Sequence, residues 1–252
     1  MEFSNRYILL FSVIVCLVCA LGVSATAVGL KEPQDRNQRL FKQENVLRAV
    51  GAITPDEKKV APERVTKLFG QIRQVVIDQK SGSLLQEDPE TVKPEKLAKD
   101  PEHSVLTPKE LSGSVKRVPD KLLAYEVDIP GHEGIVLPIY GNGLWSTLYG
   151  YVALSPDGRE VRGITYYQHG ETPGLGGEVD NPVWKAQWPG KHIYDAQGAV
   201  KIDVVKFGTV SNPEFQVDGI SGATITSRSV GAMLHVWLGE LGYGPYLESK
   251  SK

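Results

Sequence analysis

An uncharged apolar run near the N-terminus implies that the rest of the chain is attached to a membrane or carried across one, and this limits where it can fold. No charged residue occurs from Tyr7 to Leu30. With a helical rise of about 1.5 Å per residue, this run would span about 36 Å, enough to cross the hydrocarbon core of a membrane. We therefore predict a transmembrane anchor over residues 7–30, preceded by a short cytoplasmic terminus over residues 1–6.

A cleaved secretory signal is the alternative interpretation of the same run. Ala25-Thr26-Ala27 resembles a signal cleavage site, although the apolar core of a signal is usually only about 7–15 residues long. The flanking charges bear on orientation, because the positive-inside rule would keep the more basic side in the cytoplasm. Arg6 precedes the run, and the basic residues that follow it are Lys31, Arg36, Arg39 and Lys42.

Cysteine usage and charge exclude several classes of function. Cys16 and Cys19 both lie inside the apolar run, so the remainder has no thiol for a disulfide, a cysteine zinc site or an iron–sulfur cluster. The histidines are scattered without metal-ligand spacing, and we expect no metal site. The formal net charge is −2 without a block of like charges, so we expect no nucleic-acid partner.

Beyond the anchor, the pattern predicts an α+β protein. Residues 31–119 are predicted to form a helical and loop-rich connecting region. Its first predicted helix covers residues 32–50. A second helix starts at the Thr54-Pro55 cap and ends near Phe69, and a short third helix lies near residues 94–99. Residues 120–247 read as a domain with an antiparallel sheet and packed helices. Its predicted strands are 122–129, 135–140, 147–154, 160–168 and 200–206, and its last helix is 226–241.

The segment that leads into this last helix has the chemistry of a phosphate site. Thr224 stands at the expected helix start, where backbone N–H groups lack intrahelical partners and the helix dipole adds positive charge. Gly222 lets the backbone approach a ligand closely, and Ser221 adds a second hydroxyl. On spacing alone, an ordinary side-chain cap of the helix is the simpler explanation of these residues.

A family resemblance narrows these alternatives. Residues 218–224, with Asp218, Ser221, Gly222, Ala223 and Thr224, resemble the flavinylation motif of the FMN-binding domain family. The resemblance implies that Thr224 carries FMN through a phosphoester bond, installed by a flavin transferase that uses FAD as donor. Residues 120–247 would then be the FMN-binding domain.

Two further segments are similar to stretches that border the flavin in this family. One contains Glu171, Thr172, Gly174, Leu175 and Gly176 after a predicted strand, and its spacing and setting do not fit a dinucleotide fingerprint. The resemblance implies that its backbone meets the polar edge of the flavin ring while Leu175 lies against the ring face. The other segment contains Leu144 and Trp145, for which packing between two strands is the simpler alternative.

The whole chain resembles the C subunits of Na⁺-translocating NADH:quinone oxidoreductases, including residues 45–51 and 184–188. The resemblance implies a one-electron carrier without a catalytic residue of its own. It would pass electrons from an iron–sulfur centre to the flavin of the B subunit and on to quinone. Its partners would be the A, B, D, E and F subunits, and its flavin domain would face the periplasm across the inner membrane, against the local charge count.

Three other functions remain open from the sequence. The G subunit of Rnf-type electron transport complexes shares the segment around Leu175 and the flavinylation motif of residues 218–224. A flavin-binding sensory or assembly module could use the same domain outside an electron path. A membrane-anchored adaptor without flavin would use the motif only as a helix cap.

Overall fold

The computed structural model describes residues 4–109, 111 and 113–251. The helices are α1 (Asn5–Ala49), α2 (Pro62–Phe69), α3 (Pro94–Leu97), α4 (Pro182–Lys185), α5 (Thr224–Leu238) and α6 (Gly244–Lys250). The strands are β1 (Ile72–Asp78), β2 (Leu84–Leu85), β3 (Ser104–Leu106), β4 (Arg117–Pro119), β5 (Lys121–Val127), β6 (Gly134–Asn142), β7 (Thr147–Leu154), β8 (Val161–Gln168), β9 (Asp203–Val205) and β10 (Gln216–Asp218). Short 3-10 helices cover Pro101–His103 and Gly176–Asp180.

The chain divides into two compact units, with the boundary between Lys42 and Gln43. The predicted anchor and the predicted helix after it form one continuous helix, α1, which contains Pro33 and whose last residues belong to the second unit. This helix is long and apolar enough to cross a membrane, and none of its apolar window is buried. A signal sequence has the same properties, so length and composition leave that alternative open.

Two polar side chains in the apolar run are satisfied by the helix itself. The hydroxyl of Ser12 donates to the carbonyl of Ile8 at 2.9 Å, and that of Thr26 donates to the carbonyl of Gly22 at 2.8 Å. Such bonds one turn back along a helix remove the cost of placing a hydroxyl in hydrocarbon. These residues are therefore compatible with a membrane-spanning segment.

The second unit is built on a six-stranded antiparallel sheet with the order β2-β1-β5-β6-β7-β8. Strand β1 lies in the region expected to connect the anchor and the domain, yet it pairs with β5 over its whole length. The sequence pattern did not predict this strand. The predicted connecting region therefore contributes a strand to the interior of the sheet.

Alternation along the strands places one apolar face of the sheet against α5. Leu137 lies opposite Val152, and Ile135 lies opposite Leu154, and all four side chains are buried. Because successive residues of a strand point to opposite faces, this register gathers one continuous apolar surface. Helix α5 packs in the same core through Val230, Met233, Leu234, Trp237 and Leu238, each at most 1% exposed.

The indole of Trp237 also ties the helix to the sheet. Its N–H donates to the carbonyl of Tyr140 in β6 at 2.8 Å. A buried indole N–H needs such a partner, because an unsatisfied donor costs about 1–3 kcal/mol. Helix α5 is thereby held at a defined place over the end of β6.

Most predicted elements are confirmed, with differences at their ends. The strands of residues 120–168 and the last helix are present, but that helix runs from Thr224 to Leu238 and ends at Gly239. The prediction of a helix beginning at Thr54-Pro55 is wrong. Helix α2 begins only at Pro62, since Thr54 and its neighbours form a turn in which the Thr54 carbonyl accepts from Glu57 N–H at 3.1 Å.

A glycine turn provides a test of how the sheet is joined to the C-terminal helix. Gly82, between β1 and β2, has φ +69, and a Cβ there would lie 2.4 Å from the backbone carbon of Pro245 in α6. We expect Gly82→Ala to lower the free energy of unfolding by about 3 kcal/mol, because it adds a steric clash to the strain of a left-handed conformation.

Gly198→Ala is the matched control. Gly198 has φ +82, but a Cβ there would meet nothing within 4 Å, so only the conformational cost of about 1–2 kcal/mol is expected. Denaturant unfolding of the full chain in detergent measures both values. Equal losses in the two variants would show that the turn does not pack closely on α6.

Candidate functional site

The site is assembled where strand β10 leads into helix α5. Strand β10 pairs in parallel with β9, so Val217 lies beside Val204 and the chain leaves the pair directly into residues 219–223. A Cβ on Gly219 would lie 2.3 Å from the carbonyl oxygen of Val205, which explains why glycine stands there. The pairing fixes where α5 begins.

The first turn of α5 has no side-chain cap. Ala223 occupies the cap position. The structure describes every residue of α5, and among the described residues no side-chain oxygen caps the N–H groups of its first turn. The hydroxyl of Ser227 is used differently, since it accepts from Ile220 N–H and donates to the carbonyl of Ala223, both at 2.9 Å. The N–H groups at this helix start therefore remain available to an outside acceptor.

The motif residues differ in exposure at this helix start. Thr224 is the first residue of α5 and is half-buried, while Ser221 and Gly222 are exposed and Ala223 is buried. Gly222 has φ +75, a left-handed conformation that favours glycine. The Thr224 hydroxyl thus lies beside free backbone donors, which is the arrangement that suits a phosphate group.

Asp218 supports the loops around the motif. Its carboxylate accepts from Gly208 N–H at 2.7 Å, its carbonyl accepts from the indole of Trp184 at 2.9 Å, and its N–H donates to the side-chain oxygen of Gln187 at 3.0 Å. The family motif predicts Asp218 among the cofactor-binding residues. In the structure its N–H, its carbonyl and one carboxylate oxygen bond to protein and hold these loops in place.

The carboxylate of Glu171 joins three segments of the site. One oxygen accepts from the N–H groups of Trp145 at 2.9 Å and Ser146 at 3.1 Å. The other accepts from Leu144 N–H at 3.3 Å and from the hydroxyl of Thr226 at 2.8 Å. The loop between β6 and β7, the loop after β8 and the first turn of α5 are thereby tied to one buried side chain.

Close packing surrounds this carboxylate. A Cβ on Gly143 would lie 2.7 Å from a Glu171 oxygen, and one on Gly176 would lie 2.6 Å from the other oxygen. Glu171 is 5% exposed and Thr226 is 1% exposed. Both glycines therefore leave room for the Glu171 carboxylate.

Hydrogen bonding decides the charge state of Glu171. Burial disfavours the ionised form and would by itself raise the pKa. The three backbone N–H groups and the Thr226 hydroxyl outweigh this effect and hold the pKa of Glu171 below its ordinary value of 4.5. The side chain is therefore a carboxylate at neutral pH and acts here as an acceptor.

Several supporting residues were not predicted from the sequence. The ring of His169 accepts from Glu171 N–H at 3.3 Å and pairs with Asp180 at 2.7 Å. The hydroxyl of Ser146 accepts from Gly170 N–H at 2.6 Å. Thr226 lies outside the family motif, which gives no sign of its bond to Glu171. No local pattern points to the Ser146 and Thr226 contacts, because they join residues far apart in the chain.

Apolar side chains form an exposed rim around the helix start. Trp145 is 74% exposed, Ile225 54%, Leu144 48% and Leu175 44%. A Cβ on Gly222 would lie 3.0 Å from a methyl group of Leu175. The segment 171–176 therefore lies directly against the motif of residues 218–224. Exposed apolar groups of this size next to free polar donors are typical of a ligand site.

Thr172 and Gly174 shape the loop that carries Leu175. The carbonyl of Thr172 accepts from Leu175 N–H at 3.1 Å and from Gly177 N–H at 3.0 Å, and Gly174 has φ +76. Thr172 thus contributes its backbone to the turn. The structure brings four predicted residues together at the start of α5, and the buried carboxylate of Glu171 connects the segments that carry them. These residues are Leu144, Trp145, Leu175 and Thr224.

We expect the Glu171 interaction to make stability depend on pH in the acid range. Since the pKa is lowered in the folded state, this contribution is fully present above about pH 4.5 and is lost as the pH falls through the folded-state value. Glu171→Gln lacks this ionisation. The difference in unfolding free energy between wild type and Glu171→Gln, measured by denaturant unfolding at a series of pH values from neutral into the acid range, should therefore shrink with falling pH. A constant difference would contradict a lowered pKa.

Comparison with known proteins identifies the domain in which these residues lie. The family model described as "FMN-binding domain" matches residues 143–239. The C subunit of the Na⁺-translocating NADH-quinone reductase of Yersinia pestis is 43% identical, over 95% of this chain and 91% of its own length. The same subunit of Pseudomonas aeruginosa is 43% identical, over 99% of this chain and 97% of its own length.

Two solved structures share the fold. The crystal structure of Shewanella oneidensis NqrC has a TM-score of 0.74 and 28% identity, covering 86% of this chain and 98% of its own. That of the C subunit of the Na⁺-translocating NADH-quinone reductase from Parabacteroides distasonis has a TM-score of 0.68 and 26% identity, covering 86% and 96%. The chain therefore belongs to the family of the C subunits of Na⁺-translocating NADH-quinone reductases and contains an FMN-binding domain.

Proposed function

We propose that this chain carries FMN bound covalently to Thr224 and works as a one-electron carrier in a Na⁺-pumping NADH:quinone oxidoreductase. Electrons would reach it from an iron–sulfur centre and leave towards the flavin of the B subunit and quinone. The membership of the family and its FMN-binding domain support this role. Complete activity requires the A, B, D, E and F subunits, since this chain supplies only one carrier.

The observation that carries the proposal is the uncapped start of α5 with Thr224 as its first residue. A phosphate ester on this hydroxyl would lie against the first-turn N–H groups and the positive end of the helix dipole. Thr226, two residues further on, is buried and already donates to Glu171. The geometry therefore favours Thr224 over its neighbour as the attachment point.

Attachment is proposed to be a transfer from FAD. The Thr224 oxygen forms the new bond to the flavin phosphorus, the hydroxyl proton is lost and AMP leaves. A flavin transferase catalyses the step on the periplasmic side of the inner membrane, where the domain then resides. Anchorage through α1 is consistent with that location, since this helix is long and apolar enough to cross a membrane.

The protein residues around the ring would control its surroundings. Leu144, Trp145 and Leu175 offer apolar surface to the ring faces and keep water away from them. The N–H groups of Leu144, Trp145 and Ser146 are held by the Glu171 carboxylate, which fixes the loop that carries the two apolar side chains. When bound, the flavin supplies the capacity to take up and release single electrons, and the protein sets position and potential.

The attachment is tested by Thr224→Ala co-expressed with the flavin transferase. We expect wild type to give a fluorescent band in denaturing electrophoresis and an intact mass greater than the chain by one FMN less water. Thr224→Ala should lose both signals, because no oxygen remains at that position. Thr226→Ser is the control, since it keeps the hydroxyl that donates to Glu171 and should retain the flavin. A colourless wild type, or a fluorescent Thr224→Ala, would refute the attachment.

The ring environment is tested by Glu171→Gln and Gly174→Ala. Replacing the carboxylate turns one acceptor into a donor that faces backbone N–H groups, which we expect to cost about 2 kcal/mol and to displace Leu144 and Trp145. The visible spectrum or the redox potential of the bound flavin should shift in both variants. Glu178→Gln, which changes a half-buried carboxylate bonded to Asn181, is the control. An unchanged spectrum and potential in both test variants would place the ring elsewhere.

Membership of the complex is tested by purification from the native membrane. We expect the other pump subunits to accompany a tagged form of this chain. Isolation with Rnf subunits, or without any redox partner, would instead favour the two alternative flavin functions.

A further inference from the structure

Two segments that lie outside the flavin attachment motif meet at one cavity. Residues 45–51 form the end of α1 and the turn after it, and residues 184–188 include the end of α4. Together with the start of β8 they line a cavity of about 260 Å³. The cavity lies wholly within the second unit.

The charges of the cavity wall are unbalanced. Arg48, Arg162 and Lys185 line it, and no acidic residue does. Arg48 pairs with Glu44 at 2.7 Å and donates to the carbonyl of Glu57 at 2.7 Å. The side chains of Arg162 and Lys185 make no hydrogen bond or ion pair with any residue that the structure describes.

Lys185 is half-buried without an anionic partner in contact. Burial lowers its pKa, the charge of Arg48 lowers it further, and Asp180 acts in the opposite direction without forming an ion pair. A partly desolvated ammonium group is unfavourable unless an anion approaches it. Glu133 acts on Arg162, and Asp180 acts on Lys185, only through their charges, so neither cation has an acidic side chain in contact with it in the described part of the chain.

The remaining wall indicates what else the ligand contains. Ile53, Ile164 and Pro182 give the cavity an apolar side next to the cations. A phosphate monoester carries close to two negative charges at neutral pH, which matches the half-buried Lys185 together with the exposed Arg162, whereas a carboxylate carries only one. We propose that this cavity binds an organic phosphate with a short apolar body, held through Arg162 and Lys185.

The site is separate from the flavin attachment motif. Helix α4 lies between them, since Trp184 donates to the carbonyl of Asp218 while Pro182 and Lys185 line the cavity. The inference therefore does not depend on flavin at Thr224.

Calorimetric titration of the full chain in detergent with hexyl phosphate at low ionic strength tests the proposal. We expect saturable binding at one site that weakens at high salt. Lys185→Gln and Arg162→Gln should each weaken it about tenfold or more, the loss expected for one charge-assisted hydrogen bond. Lys201→Gln, which changes an exposed lysine outside the cavity, should bind like wild type. Hexanol should not bind detectably, because it lacks the anion.

The variants also allow the contribution of the two cations to stability to be measured. Neutralising Arg162 and Lys185 removes no hydrogen bond or ion pair within the described chain, so the double variant should fold with an unchanged or raised thermal midpoint. A wild type that fails to bind hexyl phosphate, or a folded double variant that binds it equally well, would overturn the proposal.

Native mass spectrometry of the chain extracted from membranes distinguishes the sources of the phosphate. A phospholipid adduct that disappears in the double variant identifies a lipid headgroup. Absence of such an adduct, together with hexyl phosphate binding, identifies a soluble organic phosphate. If wild type does not bind hexyl phosphate and the double variant is impaired only in assembly with other subunits, the cavity receives an acidic protein segment and the ligand proposal is wrong.

Discussion

The candidate site depends on the hydrogen bonds that the buried carboxylate of Glu171 accepts. A buried charge is tolerated only where hydrogen bonds compensate it, and here the compensating donors come from two other segments of the chain. The same bonds that stabilise the charge therefore fix the loop carrying Leu144 and Trp145 relative to the first turn of α5. Loss of any one donor would leave the buried carboxylate less well compensated, which couples the segments that hold it.

The sheet contributes to the site by defining where its loops begin. Antiparallel pairing of β6 with β7 ends at Asn142 and Thr147, so the intervening loop emerges beside the end of β8 and the segment containing Glu171. Burial of the α5 apolar face and the bond from Trp237 to Tyr140 fix the helix over the same edge. The core thus positions the first turn of α5 without touching a ligand itself.

Local patterns predicted much of this architecture, and their limits have physical causes. Alternation revealed β5 to β8, and the helical spacing of Val230, Met233 and Trp237 revealed α5, because both signals are contained in neighbouring residues. Strand β1 was missed because its central run Val75-Val76-Ile77 does not alternate and its partner β5 lies far along the chain. The roles of Thr226 and Ser146 were equally inaccessible, since each depends on a distant residue. Asp218 was identified from a family motif, which does not show whether a residue touches the ligand or supports the loop.

The missing cap of α5 has a consequence for maturation. If FMN is joined to Thr224, its phosphate takes the place that a serine or aspartate side chain occupies at many helix starts. The cofactor would then complete the secondary structure of the domain as well as its redox chemistry. The ester would persist in the unfolded chain, but its phosphate would accept from the first-turn N–H groups only in the folded domain, so these bonds would stabilise the folded state. A chain that escapes its transferase would be the less stable form and the more readily degraded one, so that the membrane retains chiefly subunits able to carry electrons.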